Sequence, residues 1–404
     1  MHFYYSLTGS HLLFQSLAWP DAPVFTRIPA QPETILPISK YVSSNRDMTH
    51  PYKSLPKTAF WKPAVAACNP LEIRDLWDPK FAVRPQTRIA TFGSCFAQHF
   101  SKALIKNGYS WINAEHPPKE FSEADQHIFN YNVFSARTGN IYTASLLLQW
   151  LLWATGKTAP SEEVWQKSGR FYDPFRPAIE PNGFETGAEM MRSRNVTLNA
   201  LNAIVKKADI FVFTLGLTES WFNTESGVEY PMCPGTTAGD FDKNIHQYVA
   251  QDSEFVVAKL RQAISLLREI NKNIRVLLTV SPVPLVATNS GQHVLVATSA
   301  SKSILRAATV TAVNDFDFVD YFPSYEIINS PVFRGGFFMP NLRSVTPEGV
   351  AFVMAEFFRG ATACATPAPA RKMPPSPPLS DSVDELHCDE EILEMYAELG
   401  GSSE

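Results

Sequence analysis

A serine and a cysteine stand side by side where an apolar run ends, within RIATFGSCFAQHFSKAL at residues 88–104. The run breaks at Gly93, Ser94 and Cys95 follow, and a helix is predicted next. In open α/β sheets, ligands bind beyond the carboxyl ends of the strands. A serine there can attack a carbonyl group while its own backbone N–H faces the oxyanion that forms. The alternative is structural, because serine is a common helix cap.

Cys95 is the rival nucleophile. A thiol at a helix N-terminus can have a lowered pKa, which favours the reactive thiolate. The alternative is again structural, since a free cysteine often acts as a small buried hydrophobic residue. The chain has five cysteines and no C-x-x-C pair. This pattern predicts neither a disulfide framework nor a zinc knuckle, and it fits a reducing cytoplasm.

Two further turns offer hydrogen-bond donors for an oxyanion. The sequence ARTGNIYT places Gly139 and Asn140 at a tight turn before a predicted helix. The sequence TLGLTESW follows an apolar strand and places Gly216, Thr218 and Glu219 at a second strand end. Backbone N–H groups and asparagine amides are suitable donors to an oxyanion. The three strand-end turns together therefore predict one shared site, with the Ser94 hydroxyl exposed in its pocket.

Strand-like and helix-like segments alternate over the region that must position these residues. The predicted strands are 88–92, 209–215, 273–282 and 316–322. The predicted helices are 96–107, 141–154, 196–208, 254–270, 301–313 and 346–358. Repeated helix-then-strand order implies βαβ units and an α/β fold with a doubly wound, mostly parallel sheet.

Composition shifts divide the chain into four parts. Residues 1–50 are predicted to be an irregular N-terminal extension, and residues 51–362 carry the α/β pattern. Residues 363–381 are proline-rich and read as a linker. Residues 382–404 predict an acidic C-terminal helix, docked on the domain or offered to a protein partner. A solvated tail is the alternative.

Composition also excludes several classes of function. The 404 residues include 35 Lys and Arg against 40 Asp and Glu, a formal net charge of −5, and no basic cluster. This balance argues against a nucleic-acid partner and against a polybasic membrane patch. The most apolar stretch, 144–154, is too short to span a bilayer. No signal peptide is predicted, so the expected location is cytoplasmic, and no spacing predicts a metal site or a cofactor.

Five segments together resemble the GSCFA-domain family. They are GSCFA at 93–97, RTGNIYT at 137–143, TLGLTESW at 214–221, TVSPVPL at 279–285 and DYFPSYEI at 320–327. The resemblance covers roughly residues 50–360. The family looks like a branch of the SGNH/GDSL hydrolases, which are esterases and acyltransferases. That resemblance implies a three-layer α/β/α fold of the SGNH or flavodoxin-like kind. It also implies that the protein is a hydrolase or takes part in polysaccharide modification.

The resemblance also implies roles for single residues. Ser94 matches the nucleophile of the SGNH hydrolases. Gly139, with its neighbour Asn140, matches the second block of that superfamily, and Gly216 matches the third, where these residues help to form the oxyanion hole. Thr218 stands where the superfamily has asparagine, and a hydroxyl differs from an amide in reach and geometry.

The largest departure from the superfamily lies before the last helix. There the expected Asp-x-x-His is replaced by PNLRSVTPEG, so Asn341 and Ser344 stand in place of the aspartate and the histidine. A serine without a base is a weak nucleophile. His293 is the first candidate for a base supplied from elsewhere, and Lys302 is another if it is desolvated. Glu219 is the candidate orienting acid, with Asp320 as the alternative.

Two functions remain open at this point. The first is a serine esterase or O-acyltransferase acting on a small-molecule or carbohydrate ester, such as that of a glycoconjugate. The second is a catalytically impaired binding module for a sugar or a protein partner, because the late Asp-x-x-His is absent. A cysteine-based acyltransferase is a third option.

Overall fold

The computed structural model describes residues 50–363 and 389–396. Residues 50–56 belong to a unit of their own, in which Pro51–Lys53 forms a 3₁₀ helix. All that follows concerns the unit that begins at Lys57. The predicted extension and the predicted linker fall almost wholly outside the described residues.

A parallel sheet of four strands forms the centre of the domain. Its strands are β1 (Ile89–Gly93), β4 (Ile210–Leu215), β8 (Arg275–Val280) and β9 (Val319–Tyr321), in the spatial order β1-β4-β8-β9. All three pairings are parallel, with Phe92 opposite Phe213 and Phe213 opposite Leu278. Nearly every residue of these strands is buried, as expected for a parallel sheet that is covered on both faces.

Eight α-helices accompany this sheet in the described residues. They are α1 (Ala97–Lys106), α2 (Glu123–Ile128), α3 (Ala144–Ala154), α4 (Gly187–Lys207), α5 (Ser253–Ile270), α6 (Val294–Asp315), α7 (Ser324–Asn329) and α8 (Pro347–Ala363). Short 3₁₀ helices lie at Lys57–Ala59, Pro70–Glu72, Pro331–Phe333 and Asp389–Leu393, and a π-helical turn lies at Lys62–Ala66.

Two hydrophobic layers cover the two faces of the sheet. Phe211 and Phe213 of β4 pack in one layer with apolar side chains of α3, α4, α5 and α6. Ile210 and Val212 point to the other face and pack with α1, α7 and α8. The alternation along β4 follows from the two-residue period of a strand. The fold is therefore the three-layer α/β/α arrangement that was predicted.

Five short strands form two small antiparallel sheets beside the main one. β2 (Trp165–Lys167) pairs with β3 (Arg170–Tyr172). β5 (Glu219–Asn223) lies between β6 (Glu229–Tyr230) and β7 (His246–Ala250). These strands were not predicted. They run for only two to five residues each, so hydrophobic periodicity is too brief to indicate them.

The boundaries of the long elements agree closely with the predicted ones. α5 begins one residue before the predicted helix, and α8 begins after Thr346, whose Oγ1 accepts the Gly349 N–H at 3.1 Å as a cap. The largest difference is α4, which begins at Gly187 rather than at 196. Its first turn is capped by Thr186, whose side chain accepts the Glu189 N–H.

Candidate functional site

Ser94 lies directly after β1, at the carboxyl edge of the sheet. Its N–H donates to the Thr214 carbonyl at 3.0 Å, and its own carbonyl accepts the Ala97 N–H at 2.8 Å. The side chain does not cap α1, because the N-cap residue is Phe96 and no side chain caps that end. The preceding Gly93 has a φ of +130°, and a Cβ there would lie 2.3 Å from the Thr214 oxygen. The close approach of the two backbones therefore requires glycine at position 93. The alternative that Ser94 caps α1 is wrong, because its side chain caps no helix.

The Ser94 hydroxyl lines a cavity of about 10 Å³, which is room for about one water molecule. Ser94 is only 2% exposed, and its Oγ makes no hydrogen bond to any residue in 50–363 or 389–396. The cavity is lined by Ser94, Cys95, Tyr142, Gly216, Leu217, Ser281, Val283, Pro284, Leu285, Lys302 and Glu390. The expectation of an exposed hydroxyl is therefore wrong, because side chains close over the strand end.

The turn that carries Gly139 and Asn140 runs beside Ser94. The Ile141 N–H donates to the Gly93 carbonyl at 2.9 Å, which fixes the turn against the end of β1. Gly139 has a φ of +65°, a conformation that favours glycine. The Asn140 side-chain amide donates to Oδ2 of Asp389 at 2.8 Å. Neither Gly139 nor Asn140 lines the cavity that holds Ser94, and the Asn140 amide binds a carboxylate of the C-terminal segment.

Gly216 lets the second turn approach the serine. A Cβ at this position would lie 3.1 Å from Cβ of Ser94 and 3.0 Å from Cδ1 of Tyr142, so only glycine allows the present packing. The Gly216 N–H donates to the Tyr142 carbonyl at 2.8 Å. The N–H groups of Gly216 and Ser94 are therefore both engaged with backbone carbonyls, which corrects their predicted role as open oxyanion donors.

Thr218 and Glu219 make their contacts outside the cavity. The Thr218 N–H donates to Oγ of Ser301 at 3.0 Å, and the residue is buried. Glu219 is the first residue of β5, and its carboxylate accepts the Thr288 hydroxyl at 2.6 Å. Neither residue lines the cavity that holds Ser94. The structure brings Gly216 to Ser94 but leaves its two neighbours outside the cavity.

His293 does not reach the serine either. It is the N-cap residue of α6, and its Nδ1 accepts the Leu295 N–H at 3.2 Å. The residue is exposed and does not line the cavity. The predicted role of His293 as the base for Ser94 is therefore wrong. The helix cap holds the imidazole ring at the surface.

Lys302, by contrast, reaches the cavity from α6. It is 2% exposed, and its Nζ donates to the Gly216 carbonyl. Asp320 lies elsewhere, because its carboxylate accepts the Trp77 Nε1–H at 3.2 Å and the Lys80 N–H at 2.9 Å. Burial raises the pKa of Asp320, although these hydrogen bonds oppose the shift. Its role is to hold the segment that precedes β1.

The segment 389–396 enters the site, which was not predicted. Glu390 lines the cavity with Ser94, and its Oε2 lies 3.5 Å from Nη2 of Arg343. Tyr396 donates its hydroxyl to the Thr236 carbonyl at 3.2 Å. The only signal in the sequence is the density of acids with spaced apolar residues, which predicts a docked helix but not where it docks. The alternative of a solvated tail is wrong for these residues.

The turn at residues 341–344 holds no histidine and no acidic residue. The Asn341 side-chain amide donates to Oγ of Ser344 at 3.0 Å, and both residues lie outside the cavity. Asn341 Oδ1 accepts the N–H groups of Arg343 and Ser344, each at 3.0 Å. This closed turn directs the Arg343 side chain to the C-terminal segment.

The sequence pattern of the GSCFA family matches residues 88–357. The chain belongs to the GSCFA family. The five residues that give the family its name mark the transition from β1 to α1, where Gly93 allows the crossing and Ser94 and Cys95 line the cavity. Phe96 and Ala97 are fully buried. A comparison with curated proteins finds no significant match.

Two further properties concern the described residues as a whole. Across 50–363 and 389–396, no group of three or more His, Cys, Asp or Glu side chains is placed to hold a metal ion. Over the same ranges, none of the helices has both the length and the apolar character that a bilayer crossing requires.

Proposed function

We propose that this GSCFA protein is an SGNH-like serine esterase or O-acyltransferase. Ser94 would be the nucleophile, and the substrate would be an acyl ester of the kind carried by carbohydrates and glycoconjugates. The observation that supports the proposal most directly is the place of Ser94 at the carboxyl end of β1, beside the turn that carries Asn140. The Ser94 hydroxyl lines a cavity at the strand end, and the Asn140 amide in the adjoining turn already binds a carboxylate oxygen.

The Asn140–Asp389 contact supports an oxyanion role for Asn140. A carboxylate oxygen carries partial negative charge, as does the oxygen of a tetrahedral intermediate. In the proposed reaction, the Ser94 oxygen bonds to the carbonyl carbon, the carbonyl oxygen becomes the oxyanion, and the alcohol leaves. Water or a hydroxyl acceptor then releases the acyl group.

A chromogenic ester assay tests this proposal. Hydrolysis of nitrophenyl acetate and nitrophenyl butyrate is measured for the wild-type protein, Ser94→Ala and Cys95→Ala. We expect turnover that requires Ser94 and persists in Cys95→Ala. Turnover that survives Ser94→Ala but is lost in Cys95→Ala would identify a cysteine acyltransferase instead, since Cys95 lines the same cavity.

The second candidate function is a non-catalytic binding module. The observation that favours it is that no histidine lines the Ser94 cavity within the described ranges. In that case, no wild-type turnover is expected, while a glycan or a small carboxylate raises the thermal unfolding temperature.

The cytoplasm remains the proposed location, because the described cysteines Cys68, Cys95 and Cys233 are free thiols.

A further inference from the structure

The Ser94 hydroxyl needs a proton acceptor if it is to act as a nucleophile. Among the described residues, two ionisable groups besides the Cys95 thiol and the Tyr142 phenol line its cavity, Lys302 and Glu390. Lys302 donates from Nζ to the Gly216 carbonyl, and it lowers the pKa of Glu390. Glu390 is the one carboxylate at the cavity within 50–363 and 389–396. An ionised carboxylate accepts hydrogen bonds and protons, which is the property that the site requires.

We propose that Glu390 is the general base for Ser94, delivered to the cavity by the C-terminal segment. The inference rests on the proposed serine chemistry and adds the residue that makes it possible. It also gives the segment 389–396 a catalytic role instead of leaving it as a tail.

Three contacts place the Glu390 carboxylate. Asp389, the preceding residue, accepts a hydrogen bond from the Asn140 amide. Arg343 lies 3.5 Å from Glu390 and 3.4 Å from Glu391, so its guanidinium group lies between the two carboxylates. Arg343 belongs to the turn that replaces the Asp-x-x-His of the SGNH hydrolases. This turn therefore supplies the cation, Arg343, that holds the Glu390 carboxylate.

The surroundings of Glu390 suit a base that works near neutral pH. The pKa of this carboxyl is raised to about 7. Burial is the main cause, Arg343 and Lys302 oppose the rise, and Asp389 and Glu219 contribute to it. A general base is most effective when its pKa lies near the working pH. The side chain is only 14% exposed, so bulk water has little access to it.

The proton can travel directly or through one water molecule. Ser94 Oγ makes no hydrogen bond to Glu390 in the structure, and the cavity has room for about one water. As the Ser94 oxygen bonds to the carbonyl carbon, its proton passes to Glu390. The protonated Glu390 then gives that proton to the departing alkoxide as the C–O bond breaks. In the second half, Glu390 takes a proton from water or from an acceptor hydroxyl and returns it to Ser94.

The chain offers a matched control for the test. Glu391 adjoins Glu390 and also contacts Arg343, but it is exposed and does not line the cavity. Hydrolysis of nitrophenyl butyrate is compared in Glu390→Gln, Glu391→Gln, Ser94→Ala and the wild type. We expect Glu390→Gln to lose about 100-fold or more in kcat/KM. Glu391→Gln keeps the base and alters only one contact of Arg343, so it should lose much less.

Two readouts separate a base from a structural residue. The wild-type kcat/KM should rise with pH through an apparent pKa near 7, because only the ionised carboxylate accepts a proton, and Glu390→Gln should lose this rise. In Glu390→Ala, added formate should restore part of the lost turnover by entering the space of the missing carboxylate. A merely structural role predicts neither effect.

Each contrary outcome has a distinct meaning. Equal turnover in Glu390→Gln and Glu391→Gln overturns the base role but leaves the Ser94 esterase standing. A rise in turnover in Glu390→Gln also overturns it and identifies the segment as an inhibitor. A loss that keeps the wild-type pH profile and resists formate marks Glu390 as structural. Absence of Ser94-dependent turnover in the wild type removes both proposals together.

Discussion

At Ser94, position and accessibility are two separate properties. The residue lies at the strand end that its sequence predicts, next to Gly216 and near the Asn140 turn. Its Oγ is nevertheless enclosed, with Glu390 forming part of the wall. A substrate must therefore displace side chains to reach it. The local sequence determines the position of Ser94, and the distant C-terminal segment helps to limit its accessibility.

Asn140 is the residue on which the oxyanion proposal depends. Asn140→Ala removes a donor, and we expect turnover of nitrophenyl butyrate to fall about 100-fold. Asp389→Ala serves as the control, because it removes the carboxylate partner but keeps the amide. We expect this control to lose less activity than Asn140→Ala. Turnover of Asn140→Ala within about twofold of the wild type would exclude the role.

Gly93 is the residue on which the geometry of the strand end depends. Gly93→Ala would combine a φ of +130° with a Cβ 2.3 Å from the Thr214 oxygen, and both are backbone constraints. We expect the free energy of unfolding to fall by about 3 kcal/mol, as measured by urea denaturation.

The matched control for Gly93 is Gly108→Ala. Gly108 also has a positive φ, +73°, but no atom lies within 4 Å of an added Cβ. The free energy of unfolding of Gly108→Ala should fall by about 1 kcal/mol, which is the cost of the backbone conformation alone. Equal losses in the two variants would show that the close approach of the Thr214 backbone contributes nothing.

At the scale of elements, the long periodic segments could be predicted and the short ones could not. β4, β8, α1 and α5 carry runs of apolar residues with one clear period, and the structure places each within two residues of its predicted range. β5 has the sequence ESWFN, in which polar and aromatic residues do not alternate, and it is paired on both sides by β6 and β7. Such pairing depends on chain segments that no local pattern can identify.

The site was only partly predictable for the same reason. Ser94 and Gly216 follow directly from sheet topology, because parallel strands bring their carboxyl ends to one edge. Asn140 follows no strand, and its turn is fixed to the end of β1 by the Ile141 N–H. For His293, only the residue type indicates a base. A histidine before a helix is equally compatible with the cap that the structure shows. Glu390 lies about 300 residues from Ser94 in the sequence. Its arrival depends on Arg343 and Asn140, which the sequence does not link to it.

Docking of the segment 389–396 should depend on pH. Burial raises the pKa of Asp389, against two hydrogen bonds from Asn140, and it raises that of Glu390 to about 7. Both values exceed those of the undocked carboxyl groups, which are about 4. Docking is therefore strongest below pH of about 4 and weakens as the pH rises through the docked values.

Hydrogen exchange measures this dependence. Amides of residues 389–393 should become less protected between about pH 5 and about pH 8, after correction for the intrinsic exchange rate, while the segment stays docked in most molecules. In a double variant, Asp389→Asn with Glu390→Gln, both groups are neutral at every pH, so the loss should disappear. Protection that does not change with pH in the wild type would contradict the assignment of raised pKa values.

At the scale of the whole molecule, a buried ion cluster links distant elements to the site. Asp173 binds Arg176 of its own loop and Arg194 of α4, each at 2.7 Å, and all three side chains are fully buried. Arg176 also donates to the Arg137 carbonyl at 3.2 Å and packs beside Gly139. The cluster thus supports the turn that presents Asn140.

Removing the centre of this cluster should destabilise the whole domain. Burial raises the pKa of Asp173, but the two guanidinium groups outweigh burial and the pKa is lowered, so the group is ionised at neutral pH. Asp173→Asn leaves two buried cations without a counter-charge, and we expect a loss of about 3–5 kcal/mol in urea denaturation. Turnover should fall as well, because the Asn140 turn loses its support.

The control for the cluster is the exposed ion pair Arg88–Asp209. Its nitrogen–oxygen distance is 2.6 Å, but both side chains are about half exposed to solvent. Asp209→Asn should therefore cost about 1 kcal/mol or less, since water screens a surface pair. If Asp173→Asn cost no more than Asp209→Asn, the buried cluster could not be what holds the Asn140 turn in place.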